Sequence, residues 1–431
     1  MREQPNILFI CTDQQFAGAM SCAGNDDLST PGMDRIAEAG TRFERAYCTY
    51  PLCCPARGSF VTGLMPHQSG VVANKAQIDA TLLPRTIGNV LREAGYDAAL
   101  AGKWHVPGCK PEDCGLDELC PTDDARVPKV AAEYFNTERE KPFFLFASFI
   151  NPHDICQVAR NQDLPQGPVS RVTLEDCPGL PENFAIPPFA PEALQYLRRN
   201  TPRIYPTTEW TDDEWRHFRH AYFRLVEKVD AEVVRVLDAL EASGKADNTV
   251  VIFTSDHGDG HGAHHWNQKT ALWEEEIRIP LLISQPGGEG NRVENDRLVS
   301  NGLDLVPTVC DYAGADSPEG LAGLSLRPLV SSEGVADWRE ELVVETRINF
   351  GDGPGGESHA RALVTDQYKY SVYLMGRNRE QLVDIRKDPG EMVNLAVESR
   401  HRASLQECRD RLRAWCERTE DPAIGIIPSD H

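Results

Sequence analysis

Four apolar runs in this chain each end in a cluster of polar residues, and this repeated pattern restricts the fold more than any other feature. The runs span residues 6–10, 96–101, 143–150 and 249–254. Their apolar, partly β-branched character is typical of strands buried on both faces, as in parallel sheets covered by helices. Ligands of such sheets bind where the carboxyl ends of the strands meet. We therefore predict an α/β fold with a functional site at the strand ends.

Residues 51–63 place a thiol at the start of a short helix. Pro55 suits the first helical turn, where its missing N–H is not needed, and Gly63 is placed to end the helix. Cys53 would then lie at a helix N-terminus, where free N–H groups favour an anion. Arg57 faces the same side one turn later and adds a permanent charge suited to sulfate or phosphate. For so short a motif, a buried cysteine beside a surface arginine is the alternative.

The other strand ends supply candidate ligands and bases. The first run leads to Asp13 and Gln14, whose oxygens could hold a cation, and the third leads to His153. Lys103 and His105 follow the second run and project to one side, as residues two apart do in extended chain. A capping aspartate, a surface lysine and a hydrogen-bonded core histidine are the ordinary alternatives for these residues taken singly.

Residues 249–283 carry the last group of candidates. Asp256 and His257 follow the fourth run directly, and His264 and Lys269 come shortly after. A solvated side chain is the ordinary expectation for a lysine such as Lys269. Its position inside a continuous stretch of matching residues is what makes it a candidate.

These motifs resemble the signatures of type I sulfatases, a family of the alkaline phosphatase superfamily. In the family, the first cysteine of Cys-x-Pro-x-Arg is oxidised to formylglycine by a formylglycine-generating enzyme, and Cys53 holds that position. The resemblance extends over nearly the whole chain. The chain departs from the family pattern at Gln14, where relatives usually carry a second acid, and at Ala98, where a hydroxyl residue is usual.

The resemblance also implies roles for individual residues. The implied ligands of one divalent cation, expected to be Ca²⁺ with Mg²⁺ and Mn²⁺ as alternatives, are Asp13, Gln14, Cys53, Asp256 and His257. The implied catalytic residues are Cys53, Arg57, Lys103, His105, His153 and Lys269, and His264 is the implied substrate-binding residue. A hydroxyl of the hydrated formylglycine would attack sulfur and displace the alcohol, while cationic side chains stabilise the transferring group.

A sulfatase acting on a sulfated small molecule or saccharide is therefore the predicted function. Residues 107–129 and 161–208 are rich in Pro, Gly and Asp, and we interpret them as long loops able to form a sugar-binding rim. One alternative is a phosphonate or phosphate monoester hydrolase of the same superfamily. Another is an inactive relative that binds sulfated sugar.

The resemblance implies an alkaline-phosphatase-like α/β/α sandwich, with a large mixed, mostly parallel sheet in a catalytic domain of residues 1–333. A smaller subdomain, residues 334–431, is predicted from alternating strand patterns and a final helix. Those patterns cover 341–346, 362–365, 369–374 and the helix 405–415. A capping box at 211–214 predicts a further helix with one apolar face.

Composition restricts partners and location. The net charge of -22 argues against nucleic acid and anionic membrane surfaces as partners, and no apolar run is long enough to span a membrane. No leader is recognisable before Asn6, which predicts a cytoplasmic protein, or a periplasmic or secreted one if a leader has been removed. Cys109, Cys114 and Cys120 lack paired Cys-x-x-Cys spacing, so we expect free loop thiols there.

Overall fold

The computed structural model describes residues 4–200, 207–331, 335, 337–349 and 357–429. The strands are β1 (Asn6–Asp13), β2 (Gly40–Phe43), β3 (Ala46–Tyr47), β4 (Asp97–Gly102), β5 (Asp117–Cys120), β6 (Phe143–Pro152), β7 (Thr249–Ser255), β8 (Leu281–Ser284), β9 (Arg292–Glu294), β10 (Val299–Ser300), β11 (Glu341–Asn349), β12 (Glu357–Thr365), β13 (Tyr368–Tyr373) and β14 (Glu380–Asp384). The α-helices are α1 (Pro31–Glu38), α2 (Cys53–Thr62), α3 (Pro66–Ser69), α4 (Ile87–Glu93), α5 (Val127–Asn136), α6 (Ile155–Ala159), α7 (Glu192–Asn200), α8 (Asp212–Ala242), α9 (Glu274–Ile277), α10 (Asn301–Ala313), α11 (Arg327–Val330) and α12 (Arg402–Thr419).

An eight-stranded mixed sheet forms the centre of the molecule, in the order β5-β4-β6-β1-β7-β8-β2-β9. The first five strands in this order, β5, β4, β6, β1 and β7, are mutually parallel. Strand β8 runs antiparallel to both of its neighbours. The four apolar runs of the sequence are β4, β6, β1 and β7, which lie side by side. This arrangement confirms the predicted large, mostly parallel sheet.

Helices cover both faces of this sheet. Alternate residues of β1 point to opposite sides, so Ile7 and Phe9 join one apolar core while Leu8 and Ile10 join the other. Residues of α2, α4 and α10 complete the first core, and residues of α1, α5 and α8 complete the second. The α/β/α sandwich is therefore confirmed.

The longest helix, α8, begins at the predicted capping box. The Thr211 hydroxyl accepts from the Glu214 N–H at 3.3 Å, and the Glu214 carboxylate accepts from the Thr211 N–H at 2.7 Å. The seven apolar residues predicted to face the core are all buried: Trp215, Phe218, Tyr222, Leu225, Val229, Val233 and Val236.

A four-stranded antiparallel sheet, β11 to β14, and helix α12 form the C-terminal part, as predicted. Buried residues of this sheet, among them Val344, Leu363 and Tyr370, belong to the same apolar core as α2 and α10. The small sheet thus packs directly on the layer that contains Cys53. Residues 332–334, at the predicted boundary between the two parts, lie outside the described residues.

The prediction of uninterrupted loops over 107–129 and 161–208 is wrong in part. β5 and the start of α5 occupy the first stretch, and β5 lies at an edge of the sheet, where a short strand needs no long apolar run. α7 occupies part of the second stretch and buries Ala193, Leu194 and Leu197. Residues 201–206 lie outside the described residues.

Two of the three cysteines predicted to be free loop thiols lie in a loop, and the third lies in a strand. Cys109 and Cys114 are free, with their sulfurs 3.6 Å apart, whereas Cys120 is the last residue of β5 and not part of a loop. Among the helices of the described residues, none combines the length and apolar character needed to cross a bilayer.

Candidate active site

Neighbouring parallel strands bring the predicted site residues to one edge of the sheet. Asp13 is the last residue of β1, and Lys103, His153 and Asp256 each follow directly after β4, β6 and β7. Because these strands are adjacent and parallel, residues far apart in the sequence converge.

Cys53 is the first residue of α2, as the sequence predicts, and Gly63 ends the helix in the left-handed conformation with φ 70°. The thiol is buried, with 1% of the residue exposed. Its sulfur lies 3.0 Å from Lys269 Nζ, 3.3 Å from His257 Nε2 and 3.6 Å from Asp13 Oδ1. The predicted nucleophile, base and ligand side chains therefore meet at one sulfur atom.

The surroundings of Cys53 stabilise negative charge. Burial opposes ionisation of the thiol, but the charges on Lys269 and Lys103 outweigh it and hold the pKa of Cys53 well below its ordinary value. Burial also opposes ionisation of Asp13, and nearby cationic side chains, led by Lys103, nevertheless hold the pKa of Asp13 below its usual range. The pocket therefore favours an anion at the position of the sulfur.

Lys103 reaches the site through a turn that only glycine permits. Gly102 has φ +99°, and a Cβ at that position would lie 2.0 Å from the carbonyl oxygen of Ser148. The turn directs the Lys103 ammonium to Asp13 Oδ2, with which it forms a buried ion pair. Replacement of Gly102 would displace this ammonium.

Arg57 uses most of its guanidinium to hold the site together. Its Nε donates to Asp256 Oδ2 at 2.8 Å, and its Nη1 donates to Ser148 Oγ at 2.8 Å and to the Lys103 carbonyl at 3.0 Å. Nη2 is buried 3.8 Å from Asp13 Oδ2 and has no hydrogen-bond partner among the described residues. The sequence predicts an anion-facing arginine, and in the structure only Nη2 is left for that contact.

Four of the five predicted metal ligands form a compact buried set. One donor atom each from Asp13, Cys53, Asp256 and His257 lies within 4.8 Å of the others. The His257 ring places Nδ1 2.9 Å from the Gly258 carbonyl, so Nε2 is left facing Cys53, the arrangement usual for a metal-ligating histidine. Two carboxylates and one imidazole fit a divalent cation, and the Cys53 sulfur marks the position of a fourth donor.

Gln14, the fifth predicted ligand, contributes its backbone N–H to Asp256 Oδ1 at 3.2 Å. Its side-chain Nε2 donates to Asp259 Oδ2 at 2.6 Å. The sequence analysis does not single out Asp259. Its position two residues after His257, in the same strand-end segment, is the signal that could have identified it.

Two further histidines complete the pocket around Cys53. His105 and His153 both lie close enough to Cys53 to influence ionisation at this site. Burial and the charge on Lys269 lower the pKa of His153, so the neutral ring predominates near pH 7, with one nitrogen that can accept a proton. His105 is exposed and marks the side from which the pocket meets solvent.

The structure places His264 in a second buried group rather than among the contacts of Cys53. Its ring stacks on Trp273 with centroids 4.0 Å apart, and its Nε2 lies 3.4 Å from Asn183 Nδ2 and 3.8 Å from Glu275 Oε2. Around it lie four carboxylates and one ammonium, which we call the acid cluster: Glu274, Glu275, Glu276, Glu391 and Lys369.

Comparison with known proteins identifies the family. The Sulfatase family model matches residues 5–315, and the model "N-sulphoglucosamine sulphohydrolase, C-terminal" matches residues 262–418. A Delta 4,5-hexuronate-2-O-sulfatase of Bacteroides thetaiotaomicron is 31% identical over 97% of this chain and 90% of its own length.

Solved structures support the same family assignment. A 2-O GAG sulfatase superposes with a TM-score of 0.89 and 28% identity, covering 99% of this chain and 95% of the other. The phosphonate monoester hydrolase of Agrobacterium radiobacter, with a TM-score of 0.78, 21% identity and 96% coverage of both chains, shares the fold. The chain belongs to the sulfatase family, within the alkaline phosphatase superfamily, and is a sulfuric ester hydrolase.

Proposed function

We propose that this sulfatase removes sulfate from a sulfated saccharide, and that Cys53 becomes formylglycine before the enzyme is active. The observation that carries the proposal is the contact of Lys269 and His257 with the Cys53 sulfur, at 3.0 Å and 3.3 Å, inside a pocket that favours an anion. A cysteine packed for structure alone has no need of surrounding cations.

The saccharide substrate is supported by the relatives. A Delta 4,5-hexuronate-2-O-sulfatase and the structure of a 2-O GAG sulfatase both match nearly the whole chain. We therefore propose a sulfated uronic-acid-containing saccharide of the glycosaminoglycan type as the first substrate to test.

The side chains have separable parts in this proposal. Lys269 and Lys103 lie where they can neutralise the sulfate oxygens, and Arg57 holds Asp256 while Nη2 adds positive charge. Lys269, whose pKa Cys53 and Asp13 raise against the effect of burial, or the protonated form of His153 can give a proton to the departing alcohol oxygen. His105, on the exposed side, can remove a proton in the step that releases sulfate.

The active enzyme would contain two chemical groups that the sequence does not encode: a bound divalent cation and the formylglycine made from Cys53. Asp13, Asp256, His257 and the Cys53 position, with Gln14, would hold one divalent cation, for which Ca²⁺ is our proposal. The cation supplies a Lewis acid that favours negative charge on oxygen, and formylglycine, made by a formylglycine-generating enzyme, supplies the nucleophilic hydroxyl.

The test is sulfate release by protein co-expressed with a formylglycine-generating enzyme. Sulfated uronic-acid disaccharides, sulfated monosaccharides, aryl phosphates and phosphonates are compared, each with Ca²⁺ and after EDTA treatment. We expect release from a sulfated saccharide, abolished in Cys53→Ala, and peptide mass analysis should find the aldehyde at Cys53. Preferred cleavage of phosphonates, or full activity with unmodified Cys53, would contradict the proposal.

A further inference from the structure

We infer that Asp259 is a positioning residue that orients the Gln14 amide toward the proposed cation site. Its carboxylate, hydrogen-bonded to the amide nitrogen, also supplies a negative charge that the uncharged Gln14 side chain lacks. This inference rests on the proposed cation site.

The orientation follows from hydrogen-bond chemistry. The Gln14 amide nitrogen Nε2 donates to Asp259 Oδ2 at 2.6 Å, which leaves the amide oxygen at the other end of the group. Cys156 Sγ lies 3.6 Å from both the nitrogen and the oxygen of the Gln14 amide, so this thiol does not select an orientation. Asp259 alone therefore decides which way the amide oxygen points.

Asp259 is itself held rigidly. It is completely buried, and its Oδ1 accepts from the His261 N–H at 2.7 Å. Gln14 is equally buried, with its backbone in the positive-φ region at 72° and its N–H bound to Asp256 Oδ1 at 3.2 Å. Both ends of the contact are fixed, so the amide has no freedom to turn without losing a bond.

With its nitrogen held by Asp259, the Gln14 amide would offer its oxygen as the ligand of the proposed cation. Partners of this kind, which orient ligands without touching the metal, typically change affinity by about 10- to 100-fold when mutated.

The experiment measures the Ca²⁺ dissociation constant by calorimetry on the full chain after EDTA treatment and dialysis. Asp259→Asn keeps the size of the side chain, but its amide can pair with either orientation of Gln14, and we expect affinity to fall about 10- to 100-fold. Gln14→Glu should also weaken binding, because two carboxylates would then face each other. If Gln14 were simply a poor ligand, Gln14→Glu would bind Ca²⁺ more tightly.

The decisive variant is the double substitution that exchanges the amide and the acid between positions 14 and 259. Gln14→Glu with Asp259→Asn restores one acid and one amide in reversed positions, and affinity should return to within about threefold of wild type. Asp230→Asn is the matched control, because this other buried aspartate accepts from the Gly32 and Met33 N–H groups of α1. It should lower thermal stability without changing the Ca²⁺ dissociation constant.

The outcomes separate this inference from the function on which it rests. Absence of Ca²⁺ binding by the wild-type protein would overturn the cation site and this inference with it. Wild-type affinity in Asp259→Asn, or tighter binding by Gln14→Glu, would overturn this inference alone. Gln14→Glu keeps the test decisive even if Asp259→Asn fails to fold.

Discussion

The Cys53 site and the acid cluster are both buried groups of charged side chains, yet their charge balance is opposite. Around Cys53, three permanent cations, Arg57, Lys103 and Lys269, form ion pairs with two carboxylates, Asp13 and Asp256. In the acid cluster, Lys369 pairs with Glu391 at 2.6 Å and with Glu274 at 3.2 Å, and two further carboxylates lie nearby. The Cys53 site therefore has an excess of positive charge, and the acid cluster has an excess of negative charge.

The excess charge of the two groups can be neutralised in different ways. Burial, reinforced by the neighbouring Glu274 and Glu275 carboxylates, raises the pKa of Glu391 to about 8, so the acid cluster can be neutralised by protons. The cations around Cys53 have no such route, because they keep their protons and call for an anion. Buried charge is therefore not in itself a sign of catalysis. The surplus of positive charge, together with the proposed nucleophile Cys53 beside it, distinguishes the candidate active site from the acid cluster.

Loss of the cation ligand should have the largest effect. Asp256→Asn keeps the shape of the side chain but removes its charge, and we expect kcat/KM to fall at least about 10³-fold because Lewis-acid stabilisation is worth several kcal/mol. Thermal stabilisation by Ca²⁺, worth about 2.7 kcal/mol at a hundredfold excess over the dissociation constant, should also be lost. Metal analysis and melting curves with and without Ca²⁺ measure both effects.

Glu391→Gln, in the acid cluster, is the matched control and should retain a full equivalent of metal. Equal loss of metal in the two variants would show that the distinction between the clusters is wrong.

Lys269 should have an intermediate effect that depends on the substrate. Lys269→Ala removes a charge-assisted contact, and we expect kcat/KM to fall about 10- to 100-fold for poor leaving groups. The loss should shrink for phenyl sulfates with weakly basic leaving oxygens, since stabilisation of that oxygen matters less there. The measurement is kcat/KM against leaving-group pKa for both proteins.

Superimposable slopes would reduce Lys269 to a sulfate-binding role. Lys369→Ala serves as control: it should lower stability, because buried carboxylates lose their cation, while the slope of the leaving-group plot stays that of wild type.

The smallest effect concerns the pH dependence of the acid cluster. Because the folded-state pKa of Glu391 is raised to about 8, the unfolded chain ionises this group first, and the free energy of unfolding should decline as pH rises from about 5 to about 8. Glu391→Gln should flatten that decline by about 1–2 kcal/mol. Urea titrations at pH 5, 6, 7 and 8 test this, with the exposed Glu319→Gln as control. An unchanged slope in Glu391→Gln would mean that the acid cluster does not hold the proton at Glu391.

Much of the fold and the membership of the site could be predicted, because the signals are local. An apolar run reports a buried strand, a capping box reports the start of α8, and Pro55 with Gly63 reports the extent of α2. Where local signals were weak, prediction failed: β5 has a polar edge-strand sequence, and α7 lies in a stretch rich in loop-forming residues. His264 matched a motif, but the motif could not say that its ring packs on Trp273 beside Glu275.

The sequence by itself determined which strands end in clusters of polar residues, where Cys53 lies on its helix and which family the motifs resemble, since each of these depends on residues close together in the chain. Only the tertiary structure decided how the charges are shared. Arg57 holds Asp256, 199 positions away, and Asp259 holds Gln14, 245 positions away. The energy of a charge or a hydrogen bond depends on distance, direction and burial within a few ångströms, and no local pattern carries that information.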